Sequence, residues 1–366
     1  MSSMSTRIPS GSGSPPVQPP APKPAAKSPL PPAGEGQSEG RRLDGVDAPI
    51  VAAPPTGPLR YRAAIQEYMT NEQQVIASQG FTQKPGNRSF ALFHNGAPKG
   101  LVVMLHGFSA GTEQWSPIAQ DLYAQGYDVF VPSLPGHGYV DKDGKDDTSR
   151  VPTAKTWKRW DAFEDGIYDL VKSSGHVSAV GLSCGGMLAL KMAERHGKDR
   201  GPDGQPVIRS VVAASPFLKL TGDYTKVGPI DIKNATVAST LRKVEMGAGE
   251  PVDKLLQTQQ VDMGADPIPY GFRYTNQDEI LGMDDAAVET RKNAKRVGGI
   301  PTQIIATAAD ALADPAAMQE FATHSGARFF EFPASDNVPH AMVNPLENPD
   351  PKSYEKVREL ILSNVK

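Results

Sequence analysis

Gly181, Leu182, Ser183, Cys184, Gly185 and Gly186 form a G-x-S-x-G run, and the reading of this stretch decides the fold. Before it, His176 to Val180 is a short β-type run; after it, Met187 to Glu194 has strong helix propensity and no breaker. A serine between such a strand and helix sits on a tight turn that lifts its hydroxyl clear of the sheet. Glycines two before and two after it let the backbone cross itself without Cβ clashes. Ser183 is therefore a candidate nucleophile. The helix that follows would aim its unpaired N–H groups and positive dipole end at the place where an oxyanion forms.

Outward from this turn, strand and helix patterns alternate. Ser89–His94 and Gly100–Leu105 are β-type runs split by the turn residues Asn95–Lys99, a hairpin signal. Thr112–Gln125 has helical spacing, Tyr127–Val131 reads as a buried strand, and Thr156–Ser173 repeats its apolar residues every three or four positions. Downstream, Val207–Ala214, Thr302–Thr307 and Arg328–Phe332 read as strands, with helices over Ala316–Thr323 and Tyr354–Asn364. The alternation predicts an α/β protein with a mostly parallel central sheet, helices on both faces and an antiparallel start. Active residues are expected at the carboxyl ends of the strands. Residues 217–297 break the rhythm and are too long for a loop, so they read as an inserted cap over the pocket.

Composition bounds the function. Prolines crowd residues 1–59 among Ser, Gly and Ala, which predicts a disordered or extended segment ahead of a domain at 60–366. Spacings such as Pro16 to Pro19 offer a P-x-x-P motif to a proline-recognising protein partner, against the plainer reading of a tether. A net charge of −3 with no basic block argues against nucleic acid. No apolar run resembles a secretory signal or a membrane span, and the one cysteine does not advertise an oxidising compartment, so a cytoplasmic location is expected. Neither a metal-site motif nor a phosphate-binding loop appears. The expectation is chemistry by side chains alone, without cofactor or metal.

With these motifs in hand, the chain resembles the α/β-hydrolase family from about Arg60 to the C-terminus. GLSCGG matches the family's elbow, Leu105-His106-Gly107-Phe108 its oxyanion loop, and Pro135-Gly136-His137-Gly138 its P-G-H-G turn. The elbow, the Trp-rich helix and the mid-chain insertion resemble the monoacylglycerol lipase and bacterial carboxylesterase branch. The resemblance implies the chain order nucleophile, acid, histidine. Asp310, three residues past the strand Thr302–Thr307, matches the acid; Asp314, the rival, precedes Pro315 and reads better as a helix N-cap. His340, in the loop after the last strand, matches the base.

Together these residues imply hydrolysis of carboxylic esters through an acyl-enzyme, with short- to medium-chain acyl esters or monoacylglycerols as substrates. Ser183 would attack, His340 would take and return the proton, and Asp310 would hold the imidazole. The N–H groups of Phe108 and Cys184 would bind the oxyanion. His106, Met187, Met246, Tyr270 and Phe272 are the candidates for lining the pocket, with His106 and His137 expected to order their loops. Cys184 as nucleophile is disfavoured by register, since Leu182 would then occupy a position that wants a small residue. Thioesterase, acyltransferase and carbon–carbon hydrolase chemistry use the same trio, and a non-catalytic binding protein is the reading from another class.

Overall fold

The computed structural model describes residues 59–221 and 271–366, with the backbone of three short strand segments between them, Lys226–Val227, Ile230–Asp231 and Gln260–Asp262. The proline-rich segment, Met246 and Tyr270 lie outside the described residues. The main elements in chain order are α1 (Arg60–Ser78), β1 (Phe90–Leu92), β2 (Leu101–Leu105), α2 (Ser116–Ala124), β3 (Asp128–Val131), α3 (Lys158–Val171) and β4 (Val177–Leu182). They continue with α4 (Cys184–His196), β5 (Ile208–Ala214), α5 (Gln277–Lys292), β6 (Thr302–Thr307), α6 (Pro315–Ser325), β7 (Arg328–Phe332) and α7 (Pro351–Asn364).

The seven strands form one sheet in the order β7-β6-β5-β4-β2-β3-β1, parallel throughout except at the β1 edge, which runs antiparallel to β3. Strand alternation divides the core in two. Leu101, Val103 and Leu105 of β2 join Ala179, Val211 and Ile304 under α3 and α4, whereas Val102 and Met104 join Val180, Val212 and Ile305 under α2 and α7. Central strands covered on both faces read as continuous apolar runs, which is why β2 and β4 are buried at every position.

Two sequence expectations are corrected here, and one element that the sequence reading left unmarked is added. β1 and β2 do not form a hairpin: β3 lies between them, because the right-handed β2-α2-β3 crossover places β3 beside β2 and leaves β1 to pair with β3 alone. The N-terminal helix α1, unmarked in the sequence reading, packs on α3 and buries Tyr61, Ile65 and Ile76. Finally, α5 falls inside the interval 217–297 read as a cap, yet it packs on α3 and α4 and contributes Ile280, Met283, Ala286 and Ala287 to the core. Its buried face and the Glu289–Lys191 ion pair at 2.8 Å bind it to the helical layer over the sheet, restoring the strand-helix-strand rhythm between β5 and β6.

Candidate active site

Ser183 sits between β4 and α4 with φ 54° and ψ −117°. An L-residue held there is strained by about 1–3 kcal/mol, so the surrounding backbone must over-determine it. It does: Ser183 N–H donates to Ala214 O at 2.9 Å, and Ser183 O accepts from Met187 and Phe217 N–H, both at 2.9 Å. The flanking glycines are steric necessities. A Cβ on Gly181 would collide with the Gly185 backbone, and one on Gly185 with the Leu105 carbonyl. Among the described residues, every non-glycine with positive φ (Ser109, Ser183, Ser215 and Asn337) lies in a loop leaving the carboxyl end of a sheet strand. Strain is thus concentrated on the edge where parallel sheets carry their sites.

Asp310 and His340 meet on that same edge. Asp310 Oδ2 and His340 Nδ1 are 2.7 Å apart, while Oδ1 accepts from Leu312 and Ala313 N–H at 2.8 and 2.9 Å. Burial pushes the Asp310 carboxyl up, but the His340 charge and hydrogen bond, helped by the two backbone donors, outweigh it and hold the group below the ordinary carboxylate range. An ionised Asp310 fixes Nδ1 as the protonated nitrogen and leaves Nε2 as the basic one. The hydrogen bonds among the described residues include none from Ser183 Oγ to His340, a link that often tightens only when substrate is bound. The rival Asp314 caps α6 instead, its Oδ1 accepting from Ala316 N–H at 2.9 Å, with Lys219 Nζ 2.8 Å from Oδ2.

The loop Leu105–Phe108 lies directly against the elbow, since a Cβ on Gly107 would stand 3.7 Å from that of Ser183. Neither Phe108 N–H nor Cys184 N–H has a hydrogen-bond partner among the described residues. Two free donors beside one seryl hydroxyl are the chemistry an oxyanion hole requires.

His106 is corrected as a pocket residue. It is fully buried, its Nδ1–H donates to Gly107 O at 2.9 Å and its Nε2 accepts from Leu134 N–H at 3.0 Å, so both nitrogens are spent on backbone. Burial, and next the neighbouring His137, drive its pKa well down. His137 packs behind the loop against Phe108, with ring centroids 5.6 Å apart, and burial lowers it to about 4. Met187 is wholly buried in the core cluster, in the first turn of α4. Phe272 stacks edge-on against Phe108 at 5.3 Å, and its N–H donates to Ser109 O at 3.1 Å, so it stays beside the oxyanion loop. The Cys184 thiol is fully buried and pushed far up by burial, unlike an activated nucleophile.

Among the described residues one group has metal-ligand spacing, Glu164, Asp165 and His196. Arg195 already occupies it, its Nε 3.1 Å from Glu164 and its guanidinium paired with Asp165, so the cation there is a side chain. Sequence reasoning missed Gln114, whose side-chain amide accepts from Gly107 N–H and donates to the Glu347 carboxylate. A lone glutamine in a polar turn carries no motif that would have marked it.

No helix among the described residues is long and apolar enough to cross a membrane. A 122-residue stretch is 30% identical to a carboxylesterase of Bacillus subtilis, covering 32% of this chain and 41% of that protein. Another match, of 96 residues at 33% identity to a thermostable monoacylglycerol lipase of Bacillus sp. (strain H-257), covers 26% of this chain and 35% of that protein. The matched stretch is less than half the length of either curated relative. Among solved structures, a soluble variant of the monoglyceride lipase of Saccharomyces cerevisiae superposes with a TM-score of 0.53 at 16% identity, over 77% of this chain and 92% of that one. The monoacylglycerol lipase of Paleococcus ferrophilus gives 0.51 at 16% identity, over 75% and 97%. The fold is that of the α/β hydrolases. A family model described as serine aminopeptidase, S33, matches residues 96–347, and the chain belongs to that family.

Proposed function

We propose that this member of the S33 family hydrolyses carboxylic esters through an acyl-enzyme formed on Ser183. His340 takes the seryl proton at Nε2 and later gives it to the leaving alkoxide; Asp310 holds the imidazole and stabilises the imidazolium. The tetrahedral oxyanion is received by the N–H groups of Phe108 and Cys184, each worth about 3 kcal/mol where comparable donors have been removed. Water then repeats the sequence and releases the acid.

One observation carries this reading: the 2.7 Å hydrogen bond between Asp310 and His340, on the sheet edge that also bears the strained Ser183. β4 and β6 are separated by one strand. Strands lie about 4.8 Å apart, so a gap of roughly 10 Å separates them, which a serine, an imidazole and a carboxylate together fill. Short- to medium-chain esters, monoacylglycerols among them, are the substrates proposed. The names of the curated relatives support that class, as does the apolar Phe108–Phe272 pair on the loop that faces Ser183.

The test is hydrolysis of p-nitrophenyl esters from acetate to palmitate by wild type and Ser183→Ala. Aminoacyl p-nitroanilides run alongside, because the family's description is that of an aminopeptidase. A p-nitrophenol burst that is lost in the variant, with an optimum at short or medium chains, is expected. Turnover of the anilides alone would reassign the enzyme to amide bonds, and added alcohol that accelerates ester turnover would make it an acyltransferase.

A further inference from the structure

Gln114 takes no part in the chemistry above, yet every polar atom of its amide is committed. It lies in the short turn Thr112–Trp115 between the oxyanion loop and α2, and is 1% exposed. Its Oε1 accepts from Gly107 N–H at 2.8 Å, and its Nε2 donates to the two Glu347 carboxylate oxygens at 2.9 and 3.0 Å. This is the one orientation of the amide in which each contact pairs a donor with an acceptor. The main-chain carbonyl of Gln114 also accepts from Asn344 Nδ2 at 3.2 Å, and the Asn344 carbonyl accepts the N–H groups of Glu347 and Asn348 at 3.0 and 2.8 Å. Gln114 therefore joins two loops far apart in sequence: the one that bears Phe108 N–H and the one that begins at His340.

The geometry of two adjacent peptides shows what this junction does. Gly107 N–H belongs to the His106–Gly107 peptide, and Phe108 N–H to the next. The carbonyl of that second peptide, Gly107 O, is held by His106 Nδ1–H at 2.9 Å. In a trans peptide the carbonyl and the N–H point opposite ways, so a carbonyl turned toward His106 turns Phe108 N–H away from it. The hinge between the two planes is glycine, the residue least able to hold a conformation by itself. Pinning the N–H on one side of Gly107 and the carbonyl on the other fixes both of its dihedrals. His106 supplies the second pin and Gln114 the first.

We infer that Gln114, clamped by Glu347, is a positioning residue that aims the Phe108 N–H at the developing oxyanion and locks that aim to the loop carrying His340. The inference rests on the proposed roles of Ser183 and Phe108. Loss of one oxyanion donor costs about 10²- to 10³-fold in kcat in comparable enzymes, and a donor that is misaimed instead of removed loses part of that.

The experiment compares wild type, Gln114→Leu, Gln114→Glu and the swap Gln114→Glu/Glu347→Gln on p-nitrophenyl butyrate, with active sites counted from the burst and folding followed by thermal melts. Gln114→Leu should lower kcat per active site by roughly 10- to 100-fold with KM within about 3-fold. Gln114→Glu should fall at least as far, because two carboxylates then face each other. The swap rebuilds an acceptor for Gly107 N–H and a donor between positions 114 and 347, and should recover kcat to within about 5-fold of wild type. A merely structural role would lower the melting temperature or the active fraction and leave kcat per site unmoved. That outcome overturns the inference, as does a folded, acylatable swap variant with no recovery. If Gln114→Leu does not fold, the recovery of the swap over Gln114→Glu decides alone. Retention of turnover by Ser183→Ala would instead strike the parent reading.

Discussion

Two aspartate–histidine pairs occupy opposite edges of the same sheet. At the amino edge, Asp128 opens β3 and binds Tyr61 Oη at 2.6 Å, Arg62 Nε at 2.6 Å, the His94 N–H at 2.9 Å and His94 Nδ1 at 3.2 Å. His94 in turn stacks on Tyr123 with centroids 4.1 Å apart. At the carboxyl edge, Asp310 has two backbone donors and the imidazole of His340, with no guanidinium or ammonium partner among the described residues. The chemical types are the same, and the compensation differs. A guanidinium cancels the charge of Asp128 where it stands, so that pair fastens α1 to the sheet. The charge of Asp310 is left for one imidazole, and that suits a group which, in the proposed mechanism, becomes an imidazolium.

Crossed substitutions offer the strongest way to break this contrast. Ser183→Ala and His340→Ala should each lower kcat by about 10⁴-fold or more, and Asp310→Asn by a comparable factor through the wrong imidazole tautomer. Initial rates on a p-nitrophenyl ester measure this, and melting temperatures should move less than for any change at Asp128. Asp128→Ala should do the reverse. It strips Tyr61, Arg62 and His94 of their shared carboxylate and leaves Arg62 only the His94 and Gly96 carbonyls, costing about 3 kcal/mol, while kcat stays within about 2-fold. Paired melts and rates would expose any leakage between the two roles.

A second contrast concerns histidines kept neutral by burial. His137, at about 4, and His106, lower than usual, bind no proton in the folded protein at pH values where the unfolded chain does. Below about pH 6.5 these two sites therefore hold more protons in the unfolded state, and their contribution to stability falls as pH falls. His137 alone should remove about 3 kcal/mol between pH 6.5 and 4, and Asp310, with its lowered pKa, adds loss in the same direction at still lower pH. Urea melts of wild type and His137→Gln across this range should differ by the His137 contribution, the wild type losing more stability than the variant as pH falls. The smallest effect belongs to the third aspartate. Asp314→Ala should cost about 1 kcal/mol as a lost N-cap, with kcat unchanged, separating it from Asp310 four residues before.

Much of this was legible in the sequence, for reasons that differ by element. β6 and β7 were readable to the residue because short apolar runs bounded by turn residues leave few alternatives, and the elbow was readable because Gly181 and Gly185 answer a steric demand. The positions of Asp310 and His340 relative to these strands made them candidates. Strand partners were not legible, since nothing in Phe90–Leu92 states that β3 and not β2 lies beside it. The helix α5 hid within an irregular interval, although Glu279 accepting from Asn276 N–H at 3.0 Å is a capping signal written in the residues Asn276 and Glu279. α1 was missed because its buried residues, Tyr61, Ile65 and Ile76, are sparse among polar ones. The Gln114–Glu347 junction depends on two loops meeting, which only the folded chain reveals.

The most direct measurement is mass spectrometry of the enzyme quenched during turnover of a p-nitrophenyl ester, with fragmentation of the peptide that contains Ser183 and Cys184. The expected result is an acyl group on Ser183, absent from Ser183→Ala and not accumulated by His340→Ala. An acyl group on Cys184, or steady turnover with no adduct on Ser183, would contradict the proposed nucleophile and the mechanism built on it.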